Sequence, residues 1–451
     1  MSLLARRLRR LAWSLPLALL AAAILVRAFD PTLLAQARLS AFDQLQRMFP
    51  FDAPAPGVAV VAIDEEALSK HGQWPWPRTR VAELIAKIHD SGARAVGLDV
   101  IFAEPDRTSP ARIADIWRDT PGLSELGATA GQDGWPSHDR VLARAMRRGP
   151  TVLGLALSPS GPAIPDGVPA RGITSIGGDP AGALAGMPSA TTNIPVLQQA
   201  ASGAGAVNVS TELGGVVRSV PLLLRAGDRV IPGIAAATVR AARGGGLAVR
   251  VNPGPTIDAI RVGRGSAPVD AHGRIWPRQR PRSALTIVSA HDVLSGDKVQ
   301  ALEDRVVLLG PTAVGLGDRH PTALSRALPG VLMHAQAVAA IQDGAVLARP
   351  AWARGLEMTL AGVLGLGLFA IALWRRAGPA AQVAAAVIAV AAPVGLSLTA
   401  YRQGALLLDP LFPVAAALLV YLATSALRYA GTEAERRTVR AAFGHYLAPA
   451  M

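Results

Sequence analysis

Five carboxylates follow two short apolar runs and are the first residues that could do chemistry: Asp64, Glu65, Asp99, Glu104 and Asp106. If the runs are neighbouring parallel strands, their carboxyl ends form the crevice in which open α/β sheets bind ligands. Carboxylate oxygens gathered there could hold Mg²⁺ or Ca²⁺, with Asp64 and Asp99 as the metal candidates. We favour structural roles, because Asp64 is placed to cap a helix and Asp99 could pair with an arginine. The sequence therefore leaves metal binding open.

A second candidate is an aromatic turn that contains Trp74, Trp76 and Arg78, with a proline after each tryptophan. Two indole rings and a guanidinium could form one wall of a small-molecule site, by stacking and by charged hydrogen bonds. The alternative is a rigid turn that leads into the next helix, with the tryptophans as core or dimer contacts. We favour this structural role, and keep the three side chains as ligand candidates.

A third candidate is the glycine-rich stretch from Leu309 to Asp318, which includes Thr312. Its backbone amides could bind an anion, although it lacks the Gly-Lys-Ser/Thr of a Walker loop and Pro311 has no N–H group. Ligand contact and a plain turn are equally supported. His334 follows in the next predicted helix, where a packed or capping role is favoured over a ligand role.

The composition limits the possible classes of protein. The chain has no cysteine, which excludes disulfides, thiolate zinc sites, iron–sulfur clusters and cysteine nucleophiles. A 51% apolar content excludes a disordered chain and fits poorly with an ordinary soluble enzyme. The net charge is +13, but more than half of the excess lies in the hydrophobic-rich ends, which is typical of membrane orientation. We therefore expect no nucleic-acid partner, no cofactor and no catalysis by this chain.

The elements that must position the carboxylates form a strand–helix–strand unit. Val58–Ile63 is a β-branched run that predicts a buried strand ending at Asp64. The spacing of Val81, Leu84, Ile85 and Ile88 predicts a helix that Gly92 ends, and residues 94–102 predict a second strand. Such a unit implies a parallel sheet with a right-handed crossover.

A similar strand–helix unit is predicted between residues 305 and 344. Residues 305–310 predict a strand, and residues 331–341 predict a helix with Gly344 past its end. The Gly- and Pro-rich region between, residues 149–282, predicts short strands and long loops.

Four apolar stretches predict membrane spans, at residues 11–26, 356–374, 380–400 and 405–427. The first resembles a signal peptide, but we favour an uncleaved anchor because no clear cleavage site follows. Arginines before the first span, between the second and third, and after the fourth place these segments in the cytoplasm. Residues 28–354 would then lie on the exterior side of the membrane, in the periplasm or outside the cell. Asp409 is predicted to be a solvated cap at a bent helix start, with a functional intramembrane role as the alternative.

Five motifs, in order, call for a comparison with known families: V-A-V-V-A-I-D-E-E-A-L (58–68), G-Q-W-P-W-P-R (72–78), G-L-D-V-I-F-A-E-P-D (97–106), V-V-L-L-G-P-T-A-V-G-L-G-D (306–318) and L-P-G-V-L-M-H-A-Q-A (328–337). Together they resemble the CHASE-type-2 extracellular sensory domain, over roughly residues 30–350. The resemblance implies one amino-terminal span, a sensor, three further spans and a cytoplasmic output domain. The last residues, 437–451, are similar to the segment before the catalytic domain of bacterial class III nucleotide cyclases.

The resemblance and the residues together lead to one organisation. We expect a basic segment and first span at 1–27, an α/β sensor with a mixed, partly parallel sheet at 28–354, three transmembrane helices at 355–427, and a linker at 428–451. The four α-helical spans would lie in the bacterial inner membrane, with both termini cytoplasmic. A class III adenylate or guanylate cyclase would follow after Met451.

The expected function is that of a sensory input module, which detects an unidentified exterior ligand, acts as a homodimer in the lipid bilayer and regulates the cyclase. Asp409, Arg428 and Arg436 are the candidates for signal coupling. Two other classes stay open. One is a membrane-tethered, metal-dependent hydrolase outside the cytoplasm, with Asp64 and Asp99 as ligands. The other is a transporter or assembly subunit, which needs polar residues deep within the spans.

Overall fold

The computed structural model describes residues 12–446, except 131–136, 166–167, 169–171, 210, 255 and 375. The chain forms two compact units. The membrane unit comprises the chain up to Leu45 and from Arg349 onward, and the α/β unit comprises Gln46–Ala348. The α/β unit is narrower than the predicted sensor, residues 28–354, because most of the helix Thr32–Met48 belongs to the membrane unit.

The described helices, in chain order, are α1 (Leu15–Phe29), α2 (Thr32–Met48), α3 (Glu65–His71), α4 (Arg78–Asp90), α5 (Pro110–Arg118), α6 (Ser124–Ala130), α7 (His138–Met146), α8 (Pro195–Gln198), α9 (Ile234–Arg243), α10 (Ala290–Ser295), α11 (Gly330–Asp343), α12 (Trp352–Leu373), α13 (Pro379–Gly404) and α14 (Leu411–Tyr446). Short 3₁₀ turns lie at Pro180–Gly182, Arg282–Ala284 and Val299–Leu302.

The described strands are β1 (Val58–Ile63), β2 (Ala95–Leu98), β3 (Thr151–Ala163), β4 (Ile173–Ile176), β5 (Gly186–Met187), β6 (Ser189–Thr191), β7 (Gly203–Ala206), β8 (Val220–Pro221), β9 (Leu223–Ala226), β10 (Arg229–Pro232), β11 (Leu247–Asn252), β12 (Thr256–Val262), β13 (Gly265–Pro268), β14 (Arg274–Ile275), β15 (Thr286–Ser289), β16 (Val306–Pro311), β17 (Arg319–His320) and β18 (Leu328–Pro329).

The centre of the α/β unit is a largely parallel sheet in the order β15-β1-β16-β2-β3, and β3 continues to both β6 and β7. Every pairing in it is parallel except that of β3 with β6. The predicted α/β class and the parallel relation of the first two strands are confirmed. β16 lies between β1 and β2, so the two predicted strand–helix units share one sheet and their carboxyl ends meet at one edge.

The two faces of this sheet are covered by different helices, because successive side chains of a strand point to opposite sides. Val58 and Val60 of β1 lie in the apolar cluster with α9 and α11. Ala59, Val61 and Ile63 lie in the cluster with α4, α7 and α10. The predicted helix spacing in α4 is confirmed, since its four apolar residues are at most 2% exposed.

Outside α9 and α11 lies a four-stranded sheet in the order β13-β12-β11-β4, so α11 is apolar and buried almost all round. α9 was not predicted: residues 149–282 were expected to be strands and loops only. Its first turns, Ile234–Val239, are entirely buried, so they carry no polar face that would mark a helix. Gly205 of β7 allows the close approach, since a Cβ there would lie 2.6 Å from the Ile234 Cα atom.

Among the described residues, three helical stretches are long and apolar enough to cross a bilayer: Trp352–Leu373, Pro379–Gly404 and Leu411–Arg437. Helices α1 and α2 meet the same criteria only as a pair, which bends by 81°. The prediction of four spans is therefore confirmed only in part: three helices qualify, and the bent pair is a fourth only if it counts as one span. The break has a local cause, because Asp30 adopts a left-handed conformation with φ 47° and Pro31 follows it.

The last described helix, α14, is a single helix of 36 residues. The sequence predicted a span at 405–427 followed by a linker at 428–451. The structure corrects this: the helix begins at Leu411, after Pro410, and runs through the predicted linker without a break. The basic cluster at residues 6–10, the start of the first predicted span at Leu11, and Arg375 lie outside the described residues, as does the chain beyond Tyr446.

Candidate functional site

An open cleft of about 320 Å³ lies beside the carboxyl end of β2. Residues 100–107, which follow β2, form one wall, and the aromatic turn that precedes α4 forms the other. The cleft brings together five of the nine predicted ligand-binding residues: Trp74, Trp76, Arg78, Glu104 and Asp106. We call it the Trp74–Arg78 cleft.

The two tryptophans of this cleft differ in role. Trp76 is 2% exposed, and its Nε1 atom donates a hydrogen bond to the Gly72 carbonyl over 2.8 Å. It is therefore a core residue that fixes the turn. Trp74 packs edge-on against Trp76 with ring centroids 5.7 Å apart, but it is only partly buried and offers ring surface to the cleft.

Arg78 is held on several sides at the first position of α4. Its guanidinium carbon lies 4.4 Å from the Phe102 ring centroid, Nη2 donates to the Glu104 carbonyl over 3.3 Å, and Nε is 3.6 Å from Asp139 Oδ1. Among the described residues, no hydrogen-bond partner is recorded for Nη1. The guanidinium is therefore positioned in advance, with one terminal nitrogen left to donate to a ligand.

Asp106 has a structural role: it connects the two walls of the cleft. It is 4% exposed and accepts hydrogen bonds from the Arg78 backbone N–H (2.8 Å), from Thr108 and from His138. Burial acts to raise the pKa of Asp106, but these hydrogen bonds outweigh it, and the net pKa lies below the usual range. Asp106 therefore stays ionised and ties the start of α4 to the loop after β2.

Asp99 and Asp318 lie at the same edge of the sheet but outside the lining of the cleft. Asp99 follows directly after β2, and its N–H donates to the Leu309 carbonyl. Burial, and then the charge of Asp318, raise the pKa of Asp99 to about 7. Asp318 in turn lies 2.6 Å from His320 Nε2. Asp99 is thus a partly buried carboxylate that feels the charge of an exposed one, Asp318.

His334 of α11 lies near these two carboxylates and is 2% exposed. Its Nε2 atom is 3.2 Å from the Val207 carbonyl, which can only accept, so Nε2 carries the proton and Nδ1 presents a buried lone pair without a partner. Burial lowers the pKa of His334 to about 4. The structure therefore places His334 as a neutral, packed side chain.

The remaining candidates have local roles. Asp64 caps α3: its Oδ1 atom accepts from the Ala67 N–H over 2.9 Å and from the Ser289 hydroxyl over 2.8 Å. Thr312 is 5% exposed, and its hydroxyl has no hydrogen-bond partner in the part of the chain that the structure describes. In the described part of the chain, no three His, Asp or Glu side chains are arranged to hold a metal ion. The metal candidates Asp64 and Asp99 thus gain no support from a third ligand.

The membrane unit contains a buried group of charges that the sequence did not reveal. We call it the arginine–carboxylate cluster; its members are Arg27, Asp30, Arg38, Arg349, Glu357 and Asp409. Arg27 is 0% exposed and Glu357 is 2% exposed. Arg27 Nη2 donates to Glu357 over 2.7 Å, and its Nη1 donates to Asp30 over 2.5 Å. The cluster thus ties α1 to α12.

The other members extend the cluster to the remaining helices. Arg38 of α2 binds both oxygens of Asp30, at 2.8 and 2.9 Å. Arg349 binds both oxygens of Glu357, at 2.8 and 3.0 Å. Glu357 also accepts from the Asp409 N–H over 2.8 Å, immediately before α14. Each buried charge has an opposite charge beside it, as a low-dielectric environment requires.

The prediction for Asp409 is corrected in one respect. It does cap α14, since its carboxylate accepts from the backbone N–H groups of Leu411 and Phe412. It is not solvated, however: it is 5% exposed and lies 3.8 Å from Arg27. Glu357, a carboxylate within the first turns of α12, was not among the residues predicted to couple the signal.

The other two coupling candidates lie further along α14. Arg428 is partly exposed, and its Nη2 atom lies 3.5 Å from the Trp374 carbonyl at the end of α12. Arg436 is exposed to solvent. Neither residue belongs to the arginine–carboxylate cluster.

Comparison with known proteins gives one match. A family model described as the CHASE2 domain matches residues 17–372. No curated protein and no solved structure matches the chain.

Proposed function

Because the chain belongs to the CHASE2 family of extracellular sensory domains, we propose that it is the sensory input part of a membrane receptor whose output is a class III nucleotide cyclase. The family match carries this proposal. It runs from α1 to the end of α12, and so includes flanking helices as well as the whole α/β unit. The cyclase is supported by the resemblance of residues 437–451 to the segment before such catalytic domains.

The proposed receptor has the α/β unit outside the cytoplasmic membrane and both chain ends inside. The support is the distribution of arginines beside the apolar stretches, together with the three candidate spans. We propose that the receptor acts as a homodimer. The molar mass of the purified chain in lipid nanodiscs, measured by light scattering, tests this; a monomer at micromolar concentration would refute it.

We propose the Trp74–Arg78 cleft as the position where the exterior signal molecule binds. It combines a partly exposed indole, a guanidinium already held in place and the exposed carboxylate of Glu104. A concave surface with a few convergent polar groups is the usual form of a small-molecule site.

A thermal-shift screen of residues 46–348 against small metabolites tests the cleft. We expect a compound that raises the melting temperature to lose most of its effect with Arg78→Gln, because the variant removes the charged donor. Arg94→Gln is the matched control, since Arg94 is exposed and bonded to Asp304. A shift that persists in Arg78→Gln places the ligand elsewhere.

The signal would leave the membrane through α14, which passes from the arginine–carboxylate cluster to the proposed output without a break. A class III cyclase domain joined after residue 451 should produce cyclic nucleotide inside cells, where ATP is available. Inserting two residues after Thr432 turns the following helix by about 200° and should change the basal activity at least severalfold.

The control is an insertion of seven residues at the same place. Seven residues are about two full turns, so the output returns to nearly its original orientation. We expect this variant to retain the activity of the parent fusion. Equal activity after both insertions would show that α14 does not relay orientation.

A further inference from the structure

Two histidines of the α/β unit lie side by side at the carboxyl edge of the central sheet. His71 is the last residue of α3, which follows β1, and His291 is the second residue of α10, which follows β15. Because β1 and β15 are parallel neighbours, the two helices start beside each other at this edge. The two imidazole ring centroids are 5.1 Å apart, and both side chains are partly exposed. We call these residues the histidine pair.

The nitrogen atoms that face each other have the spacing of two ligands of one metal ion. His71 Nε2 lies 3.0 Å from His291 Nδ1. Imidazole nitrogens bind zinc and similar divalent metals at about 2.0–2.1 Å, so two of them lie about 2.9 Å apart at a right angle and about 3.3 Å apart at a tetrahedral angle. The observed spacing is closer to the right angle, which is the arrangement of tetragonal Cu²⁺ and Ni²⁺ sites rather than of tetrahedral Zn²⁺ sites.

The histidine pair can change from a hydrogen bond to metal coordination by a turn of the rings. One of the two facing nitrogens donates and the other accepts, so at least one ring is neutral. An ion bound to both nitrogens lies roughly 40° off the line that joins them, and each ring must turn by about that angle. The terminal torsion of a histidine side chain has a broad range, so this turn meets little resistance in partly exposed rings.

The opposite nitrogens of the two rings are available to carry the protons. His71 Nδ1 and His291 Nε2 are not among the buried atoms that lack a partner in the described chain. With a proton at each of these positions, both rings are neutral and both facing nitrogens present a lone pair. This is the form in which imidazole binds a metal.

The surroundings of the histidine pair leave coordination positions open. Among the described residues, no third His, Asp or Glu is placed to complete a metal site, and the Ser295 hydroxyl is 3.4 Å from His291 Nδ1. Arg80 opposes a cation here, since its Nη1 atom donates to the His71 carbonyl over 2.6 Å. The charge of Glu83 acts on His71 in the opposite sense. Water or a ligand from solution would fill the remaining positions.

We propose that His71 and His291 bind one Cu²⁺ ion, which keeps positions open for water or for an exterior ligand. The N–N spacing favours copper, and copper also binds most tightly in the general order of divalent metals. Neither histidine lines the Trp74–Arg78 cleft, so the metal site does not depend on a ligand in that cleft. His71 does pack edge-on against Trp76, with ring centroids 5.9 Å apart. A bound ion would therefore hold the end of α3 beside the turn that forms one wall of the cleft.

A titration of the untagged full chain in nanodiscs with Cu²⁺, in competition with glycine, tests the proposal. Electron paramagnetic resonance is the readout, and we expect the bound copper of the parent to show two imidazole nitrogens. His71→Gln should weaken Cu²⁺ binding about tenfold or more, since even residues that only support a metal ligand contribute that much. Its amide can still donate to His291 Nδ1, so the melting temperature without metal should match that of the parent.

His272→Asn is the matched control. His272 is an exposed histidine whose Nδ1 atom is 3.0 Å from the Ala183 carbonyl, and an asparagine amide can keep that hydrogen bond. This variant should bind Cu²⁺ as the parent does, whereas His291→Asn should lose affinity as His71→Gln does. Equal affinity of the parent and His71→Gln would overturn the proposal, as would a single imidazole on the copper of the parent or tighter binding of Zn²⁺ than of Cu²⁺.

Discussion

We expect that most molecules of the Glu357→Gln variant fail to assemble as a stable membrane protein. Glutamine keeps the shape of the side chain but removes the negative charge that Arg27 and Arg349 share, at 2.7 and 2.8 Å. Arg27 is completely buried, so its guanidinium cannot replace the lost ion pair with hydrogen bonds to water. Breaking a buried ion pair by removing one partner costs about 3–5 kcal/mol, a large part of the stability of a typical domain.

The measurement is the yield of monodisperse protein after extraction, together with its thermal midpoint in nanodiscs. Glu433→Gln is the matched control: Glu433 makes a 3.1 Å pair with Arg437, which is 78% exposed, and such pairs contribute little. We expect the control to match the parent. If Glu357→Gln has the midpoint of the parent, the cluster is not the stabilising element described above.

Asp99→Asn should make the α/β unit more stable at neutral pH and change it little near pH 4. The pKa of Asp99 is raised from 3.8 to about 7 by burial and by Asp318. Between these values the folded chain binds more protons than the unfolded chain, so stability falls as pH rises. Asparagine cannot ionise, so the variant does not lose stability in this way. Its free energy of unfolding should exceed that of the parent by about 2–4 kcal/mol above pH 7.

Urea denaturation of residues 46–348 between pH 4 and pH 8 measures this difference. His334 acts in the opposite direction: its pKa is lowered from 6.5 to about 4, so it adds stability as pH rises from 4 to 6.5. In Asp99→Asn, where the opposing effect of Asp99 is absent, the free energy of unfolding should rise between pH 4 and 6.5. Glu104→Gln, a change at an exposed position of the same sheet edge, controls for the effect of replacing a carboxylate by an amide. A constant difference between Asp99→Asn and the parent at all pH values would refute the assignment.

The parallel sheet could be predicted because its signals are local. The run Val58–Ile63 is β-branched and buried on both faces, and it forms a strand with the predicted bounds. The spacing of the apolar residues in α4 marks one buried face. α9 was missed because its first turns are buried on every side and its charged residues, Arg240 and Arg243, come only in the last turn. A short apolar run of this kind cannot be told from a buried strand by periodicity alone.

The two candidate sites differ in how far apart their residues lie in the sequence, and therefore in how well they could be predicted. The residues of the Trp74–Arg78 cleft come from segments less than forty positions apart, so a local strand–helix pattern was enough to bring most of them together. Arg27 and Glu357 are separated by 330 positions. Only the physical rule that a charge within an apolar helix must find a partner could have pointed to them.

The length of α14 has a mechanical consequence. Its 36 residues span about 54 Å, whereas the hydrocarbon layer is roughly 30 Å thick. The start of the helix is held by the hydrogen bond from the Asp409 N–H to Glu357, and its other end lies beyond the hydrocarbon layer. A tilt of about 10° at that anchor, which displaces nearby atoms by less than a bond length, would swing the far end by about 9 Å. A small rearrangement of the buried carboxylates Glu357 and Asp409 would therefore become a much larger displacement at the far end of α14.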